Sequence, residues 1–344
     1  MRLRIVPLIL ALLVLTGCAV PAEETAAGEK QYQATFLTLF DTVTTIVGYA
    51  ESEEAFRTQA QAIHDALLEY HQLFDIYNDY PGINNLKTVN DQAGIAPVEV
   101  DERIIQLLQD CREYWDLTGG AVNVAMGSVL SLWHDARTHG ISFPAAAALP
   151  DQDALIQAAE HTDPDGVVID EAASTVFLPD PLQQLDVGAV AKGWSVEQVC
   201  RSAPEGLLVS VGGNVCATGP KPTGGSWIVG IQNPDGGDDQ YLHTLYVDKG
   251  AVVTSGDYQR YYVVDGKAYH HIIDPVTLYP ADLWRSVTIV CQDSALADCL
   301  STALFLLPQE EGQALLDQVQ AEAMWVRSDG TCLYSPGFAD LIRT

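Results

Sequence analysis

The chain has 344 residues, of which 17 are Lys or Arg and 46 are Asp or Glu, giving a formal charge of -29. So acidic a chain is a poor partner for nucleic acid, whose phosphates are bound by clustered Lys and Arg, and for an anionic membrane surface, which attracts polybasic segments. Solubility at a cell surface accounts for the acidity better than any particular basic partner.

Arg2 and Arg4 precede an apolar run over residues 5–15, too short to span a bilayer. Leu15-Thr16-Gly17-Cys18 follows. A basic start, an apolar stretch and small residues compose an export signal. A cysteine at its end fits a bacterial lipoprotein signal over 1–17, with Cys18 as the lipidated first residue of the mature chain. Residues 18–34 read as a tether, polar and small from Pro21 to Lys30. Residues 35–344 read as one enlarged domain. The expected location is the outer face of the cell (inner) membrane, reached by export and held by the lipid alone. None of the other six cysteines lies in a CxxC pair, which argues against a zinc ribbon. Cys200, Cys291 and Cys299 sit in apolar patterns and read as buried thiols.

Residues 36–49, rich in Thr, Val and Ile, read as a strand. Residues 53–74 carry apolar side chains at helical spacing (Ala62, Ala66, Leu67, Tyr70, Leu73). Residues 76–90 read as a loop with a Pro81-Gly82 turn. A second helix is expected over 101–118, stopped by Gly119-Gly120, and a short one over 151–160. Residues 166–170 and 175–178 resemble a hairpin. A helix opens at Lys192. Strands follow over 206–211 and 226–232, around Gly212-Gly213, then over 241–247, 251–255, 261–264 and 286–291. Helices over 294–307 and 309–320 and strands over 324–327 and 332–334 close the chain. Strands outnumber helices and cluster as hairpins, which predicts an α+β fold with antiparallel sheet and packed helices.

Two segments carry most of the chemistry. Asp186-Val187-Gly188-Ala189-Val190-Ala191-Lys192-Gly193 is a strand end, a glycine turn and a helix start beside a lysine. A helix N-terminus attracts phosphate. The segment is neither a Walker loop nor GxGxxG, and alone it is better read as a tight strand-to-helix turn with a surface lysine. Ala297-Asp298-Cys299-Leu300-Ser301-Thr302 places a carboxylate and a hydroxyl at i and i+4 on one helix face. That helix is mostly apolar, and a buried carboxylate needs a partner. Mg²⁺ takes oxygen ligands and leaves room for phosphate oxygens. In His270-His271-Ile272-Ile273-Asp274-Pro275, adjacent strand histidines face opposite ways, so one facing a site as a base is a better reading than a shared metal. A surface pair before a proline turn fits equally well. Thr254-Ser255-Gly256-Asp257-Tyr258 could bind a ligand or cap a helix. Val211-Gly212-Gly213-Asn214 lets backbone approach a ligand, or makes a hairpin turn.

In this order, the segments resemble the ApbE family, the bacterial FAD:protein FMN transferases. The resemblance runs from about Thr38 to Leu307. It includes Phe40-Asp41-Thr42, Asp75-Ile76-Tyr77, Thr118-Gly119-Gly120-Ala121-Val122-Asn123, and then the D-x-G-x-x-A-K-G, V-G-G, T-S-G-D-Y, H-I-I-D-P and A-D-x-x-[AS]-T segments. It implies an α+β architecture related to T-folds. It also implies an enzyme that binds FAD and Mg²⁺, cuts the pyrophosphate, and transfers FMN to a Thr or Ser hydroxyl of an acceptor protein with release of AMP. The implied Mg²⁺ ligands are the Ala189 carbonyl, Asp298 and Thr302. The implied contacts to FAD are Phe40, Tyr77, Ala121, Val122, Asn123, Asp186, Lys192, Ser255 and Asp257, and the implied base is His271. The implied acceptor is a Rnf- or Nqr-type subunit or an extracellular flavoprotein. Two rival expectations stand beside it: an FAD pyrophosphatase giving FMN and AMP, and a non-catalytic flavin-binding lipoprotein. The family often has Met-Gly-Thr where this chain has Phe40-Asp41-Thr42, and Phe-Asp-Pro-Thr where it has Val122-Asn123-Val124-Ala125.

Overall fold

A computed structural model describes residues 28–237 and 240–343. The expected export signal and Cys18 lie outside the described residues. The chain opens with β1 (Lys30–Leu39) and β2 (Thr42–Ala50), followed by α1 (Glu53–Phe74), α2 (Leu86–Asp91), β3 (Val98–Glu99) and α3 (Glu102–Leu117). Next come α4 (Gly127–Ser142), α5 (Gln152–Ala159), β4 (Val168–Asp170), β5 (Thr175–Phe177) and α6 (Ala191–Ser202). Strands β6 (Leu208–Val211), β7 (Asn214–Ala217), β8 (Trp227–Gln232), β9 (Tyr241–Val247), β10 (Gly250–Gly256), β11 (Tyr261–Val264), β12 (Lys267–His270) and β13 (Ser286–Cys291) follow. Helices α7 (Ser294–Leu306) and α8 (Gln309–Leu316) precede β14 (Ala321–Val326) and β15 (Cys332–Tyr334).

Eight strands form one antiparallel sheet in the order β1-β2-β6-β7-β10-β13-β14-β15. Alternation along each strand divides the core between the two faces of the sheet. Ala251, Val253, Ile289 and Trp325 join the core that also contains α1, α6 and α7, whereas Val252, Met324 and Val326 face the β8–β9 hairpin. A third apolar cluster ties α4 and α5 to β11 and β12 through Val129, Trp133, Leu155 and Tyr262. The mixed α/β architecture with antiparallel sheets agrees with the sequence reading.

Two sequence readings are corrected at the start of the chain. Residues 36–49 are not one strand but parts of two, joined by a two-residue turn with Leu39 paired to Thr42. Phe40 and Asp41 both take left-handed backbone, at φ 52 and 53. That geometry suits a tight hairpin but normally calls for Gly or Asn, so the usual turn signal is missing. The sheet also begins at Lys30, inside the segment read as tether, because residues 30–36 pair with β2.

Helix α1 starts where Ser52 Oγ accepts from Ala55 N–H, and buries Phe56, Ala60, Ile63 and Leu67 along one stripe. Helix α7 starts where Asp293 Oδ1 accepts from the Ala295 and Leu296 amides. Glu197 of α6 accepts from Ser294 N–H at 2.7 Å and pairs with Arg201 at 2.6 Å. These caps lock α6 against α7, the two helices that carry the motif residues.

Candidate active site

A cavity of about 550 Å³ opens where the β1–β2 turn, the end of α1, the 121–126 segment, α4, the start of α6, the β6–β7 turn, the 269–273 segment and α7 meet. It is lined by Phe40, Tyr77, Ala121, Val122, Asn123, Asp186, Ala189, Lys192, Ser255, His271, Asp298 and Thr302. These come from residues more than two hundred positions apart, and only the fold assembles them.

Gly193 sets the approach of α6 to α7. A Cβ on it would stand 2.3 Å from the Ser294 carbonyl oxygen and 2.4 Å from Asp298 Cβ, so no other residue fits without parting the helices. Asp298 is only 4% exposed. Its Oδ2 accepts from Gly193 N–H at 2.8 Å and lies 3.7 Å from Lys192 Nζ. The carboxylate therefore caps the first turn of α6, where the helix dipole favours negative charge. No protein group bonds its Oδ1 among the described residues. Thr302, one turn further along α7, likewise has no hydrogen bond to its hydroxyl. Among the described residues no three His, Cys, Asp or Glu side chains gather. A cation here would draw on a carboxylate, a hydroxyl and a backbone carbonyl, a hard-oxygen set that suits Mg²⁺. The free Oδ1 of a buried carboxylate at the cavity wall is the feature that fits it.

His271 has its Nδ1 buried with no hydrogen-bond partner among the described residues. Burial, reinforced by the positive charges of Arg260, Arg137 and Lys192, pushes its pKa down to about 3. The imidazole is neutral at physiological pH, with a nitrogen free to accept. His270 differs. Its Nε2 donates to the Ala281 carbonyl at 2.7 Å and its Nδ1 accepts from Ile272 N–H at 3.2 Å, so both nitrogens are spent on the chain.

Three cations at the cavity stand out in so acidic a chain. Arg137 and Arg260 make no ion pair among the described residues; Arg137 donates to His134 Nδ1 at 3.3 Å and Arg260 to the Phe40 carbonyl at 3.3 Å. Desolvation and the charge of Arg260 lower the pKa of Arg137. Because Arg can only donate, His134 Nδ1 is an acceptor, and Tyr77 O–H donates to the same atom at 3.2 Å. Tyr77 stacks on His134 at 4.7 Å and leaves 51% of its surface exposed at the cavity. Asp75 positions it by accepting from the Tyr77 amide at 2.7 Å and from Tyr80 O–H at 2.7 Å. Asp186, whose Oδ1 accepts from Gly188 N–H at 2.8 Å, has its pKa raised by desolvation.

Other motif residues have local duties. Asn123 Oδ1 accepts from Ala125 N–H at 2.9 Å and its Nδ2 donates to the Thr162 carbonyl at 2.8 Å. An aspartate there could not make the second bond. Ser255 Oγ shares a hydrogen bond with Ser301 Oγ. Asp257, read from sequence as a cofactor contact, does not line the cavity: its carboxylate is paired with Arg285 at 2.9 Å. Sequence reasoning missed His134, Arg137 and Arg260. The one available signal was the scarcity of cations in the chain.

The cavity collects two guanidiniums without ion pairs among the described residues, a neutral histidine and a free carboxylate oxygen, groups suited to a phosphorylated ligand. The ApbE family model matches residues 40–325, and the chain belongs to that family. It is 35% identical to an FAD:protein FMN transferase of Klebsiella pneumoniae, over 74% of this chain and 80% of the relative. A second FAD:protein FMN transferase, from Treponema pallidum, is 35% identical over 83% of both chains. The crystal structure of the ApbE protein from Thermotoga maritima superposes with a TM-score of 0.80 at 30% identity, over 91% of this chain and 100% of that one. The flavin transferase ApbE from Vibrio cholerae shares the fold, with a TM-score of 0.74 at 23% identity, over 91% of this chain and 99% of that one.

Proposed function

We propose that this chain is a Mg²⁺-dependent FAD:protein FMN transferase. The observation that carries the reading is the neutral imidazole of His271 at the cavity that also holds Lys192, Arg137, Arg260 and the open oxygen of Asp298. A hydroxyl nucleophile and a pyrophosphate electrophile need those groups together: a proton acceptor, cations for the phosphates and an oxygen ligand for a metal.

Asp298, Thr302 and the Ala189 carbonyl would hold Mg²⁺, which when bound would offset charge on the phosphates and polarise a phosphoryl oxygen. Lys192, Arg137 and Arg260 orient the pyrophosphate. Tyr77 offers an exposed ring to a flat ligand, and Phe40, Ala121, Val122 and Asn123 wall the cavity. The acceptor Thr or Ser oxygen attacks the phosphorus of the FMN half. The bond from that phosphorus to the bridging oxygen breaks, and AMP leaves with the electron pair. The hydroxyl proton passes to the His271 imidazole. The charge of a bound pyrophosphate opposes the three cations and raises the basicity of His271 when FAD is in place. Export and lipidation at Cys18 would present the site to membrane or extracellular redox proteins.

The test is incubation of the protein with FAD, Mg²⁺ and a candidate acceptor, followed by denaturing electrophoresis and in-gel flavin fluorescence. A fluorescent acceptor band supports the reading. FAD turnover that labels none of the acceptors contradicts it.

A further inference from the structure

Asn214 opens β7, is 1% exposed and lines the cavity. Among the described residues, neither its Nδ2 nor its Oδ1 has a hydrogen-bond partner. Buried amides almost always have one, and an unmet donor beside an unmet acceptor is a costly arrangement.

The residue is held firmly. Asn214 pairs with Val211 across a hairpin turn and with Val253 of β10 on its other side. Within that turn Gly212 has φ 53, and a Cβ on it would stand 2.4 Å from Thr42 Oγ1. The turn is therefore wedged against the strained β1–β2 turn that carries Phe40. These pairings fix the backbone that carries the Asn214 amide.

We infer that Asn214 recognises the heterocycle edge of the bound nucleotide. Its amide presents a donor and an acceptor side by side. That pattern complements an edge with adjacent acceptor and donor, such as adenine's amino group beside a ring nitrogen, or the flavin imide N–H beside its carbonyl. The inference rests on the reading of FAD as substrate, and FAD carries both edges.

The experiment is calorimetric binding of FAD, riboflavin and ADP, each with Mg²⁺, to the wild-type protein and to Asn214→Ala, with the unfolding midpoint of each ligand-free protein. The expected result is FAD binding weakened by about tenfold or more. Riboflavin weakened with ADP unchanged assigns the flavin edge; the reverse assigns the adenine edge. The ligand-free midpoint should hold or rise, because the variant deletes an unsatisfied buried amide. Should Asn214→Ala fail to fold, Asn214→Asp, of the same shape but lacking the donor, carries the same test. Wild-type affinity for FAD in these variants overturns the inference, and means that the amide is satisfied inside the protein, for example by a water shared with the equally unpartnered Thr44 Oγ1. A wild-type protein that binds no FAD would instead remove the substrate reading itself.

Discussion

Replacing His271 with glutamine should remove a pH dependence of stability that the wild-type protein carries. In the unfolded chain the imidazole titrates near its ordinary value of 6.5; in the ligand-free fold, burial and three nearby cations push it down to about 3. Between those values the unfolded chain binds a proton that the folded chain does not. The contribution is therefore fully present above pH 6.5 and is lost as pH falls toward 3. At pH 5 the loss is set by the unfolded value alone, because the folded value lies well below. It amounts to 1.5 pH units, or about 2 kcal/mol. Urea unfolding of both proteins at pH 8 and pH 5 reads this directly. Other groups titrate alike in the two, so the difference of differences isolates His271. The wild type should lose about 2 kcal/mol more than His271→Gln between the two pH values. Equal losses would show that the imidazole is protonated in the fold as readily as in water, and the argument for a desolvated, neutral base would fail.

Asp298→Ala should reduce Mg²⁺-dependent turnover by on the order of 10²–10³-fold while circular dichroism remains that of the folded protein; undiminished turnover would refute the metal assignment. Arg260→Gln removes one of the charges that depress His271, so the acid limb of the kcat/KM profile should move to higher pH by up to about one unit. A limb that stays in place would mean that Arg260 does not act on the base. Gly193→Ala puts a methyl group into the α6–α7 contact and should cost about 1–3 kcal/mol in urea unfolding. An unchanged midpoint would show that the two helices can separate freely.

The parts of the fold legible in the sequence are those with a strong period and a clear end. Helix α1 has its apolar stripe and Ser52, and α3 runs between Asp101 and Thr118, its two caps. The β1–β2 hairpin was hidden because Phe40 and Asp41 occupy a turn where the family often has a glycine; the geometry is held by the sheet and by Gly212 against Thr42, not by turn chemistry. Helix α4 was missed for a related reason. It packs closely through a glycine, Gly140, where a Cβ would stand 2.6 Å from the Tyr262 ring, and so lacks a strong apolar stripe.

The site divides along the same line. Asp186, Lys192, Asp298 and Thr302 were readable because short motifs fix them on two helix starts or faces. His134 and Arg137 lie one turn apart on α4, and Arg260 lies in the loop before β11; their role depends on these two separated segments closing round one cavity. Asp257 shows the limit of motif reading: its neighbour Ser255 lines the cavity, but two residues later the side chain turns to Arg285. Asn123 shows another, since its amide serves the 121–125 turn and Thr162.

In the proposed reaction one proton acceptor and one cation-lined cavity move FMN from FAD to a protein hydroxyl. The most direct measurement is AMP released against flavin covalently attached, using FAD, Mg²⁺ and an acceptor with its target threonine intact or replaced by valine. The expected result is one AMP per flavin attached, and neither product when the threonine is absent. AMP formed equally well without an acceptor would identify a pyrophosphatase, and FAD bound with no AMP formed would identify a flavin carrier; either result contradicts the account.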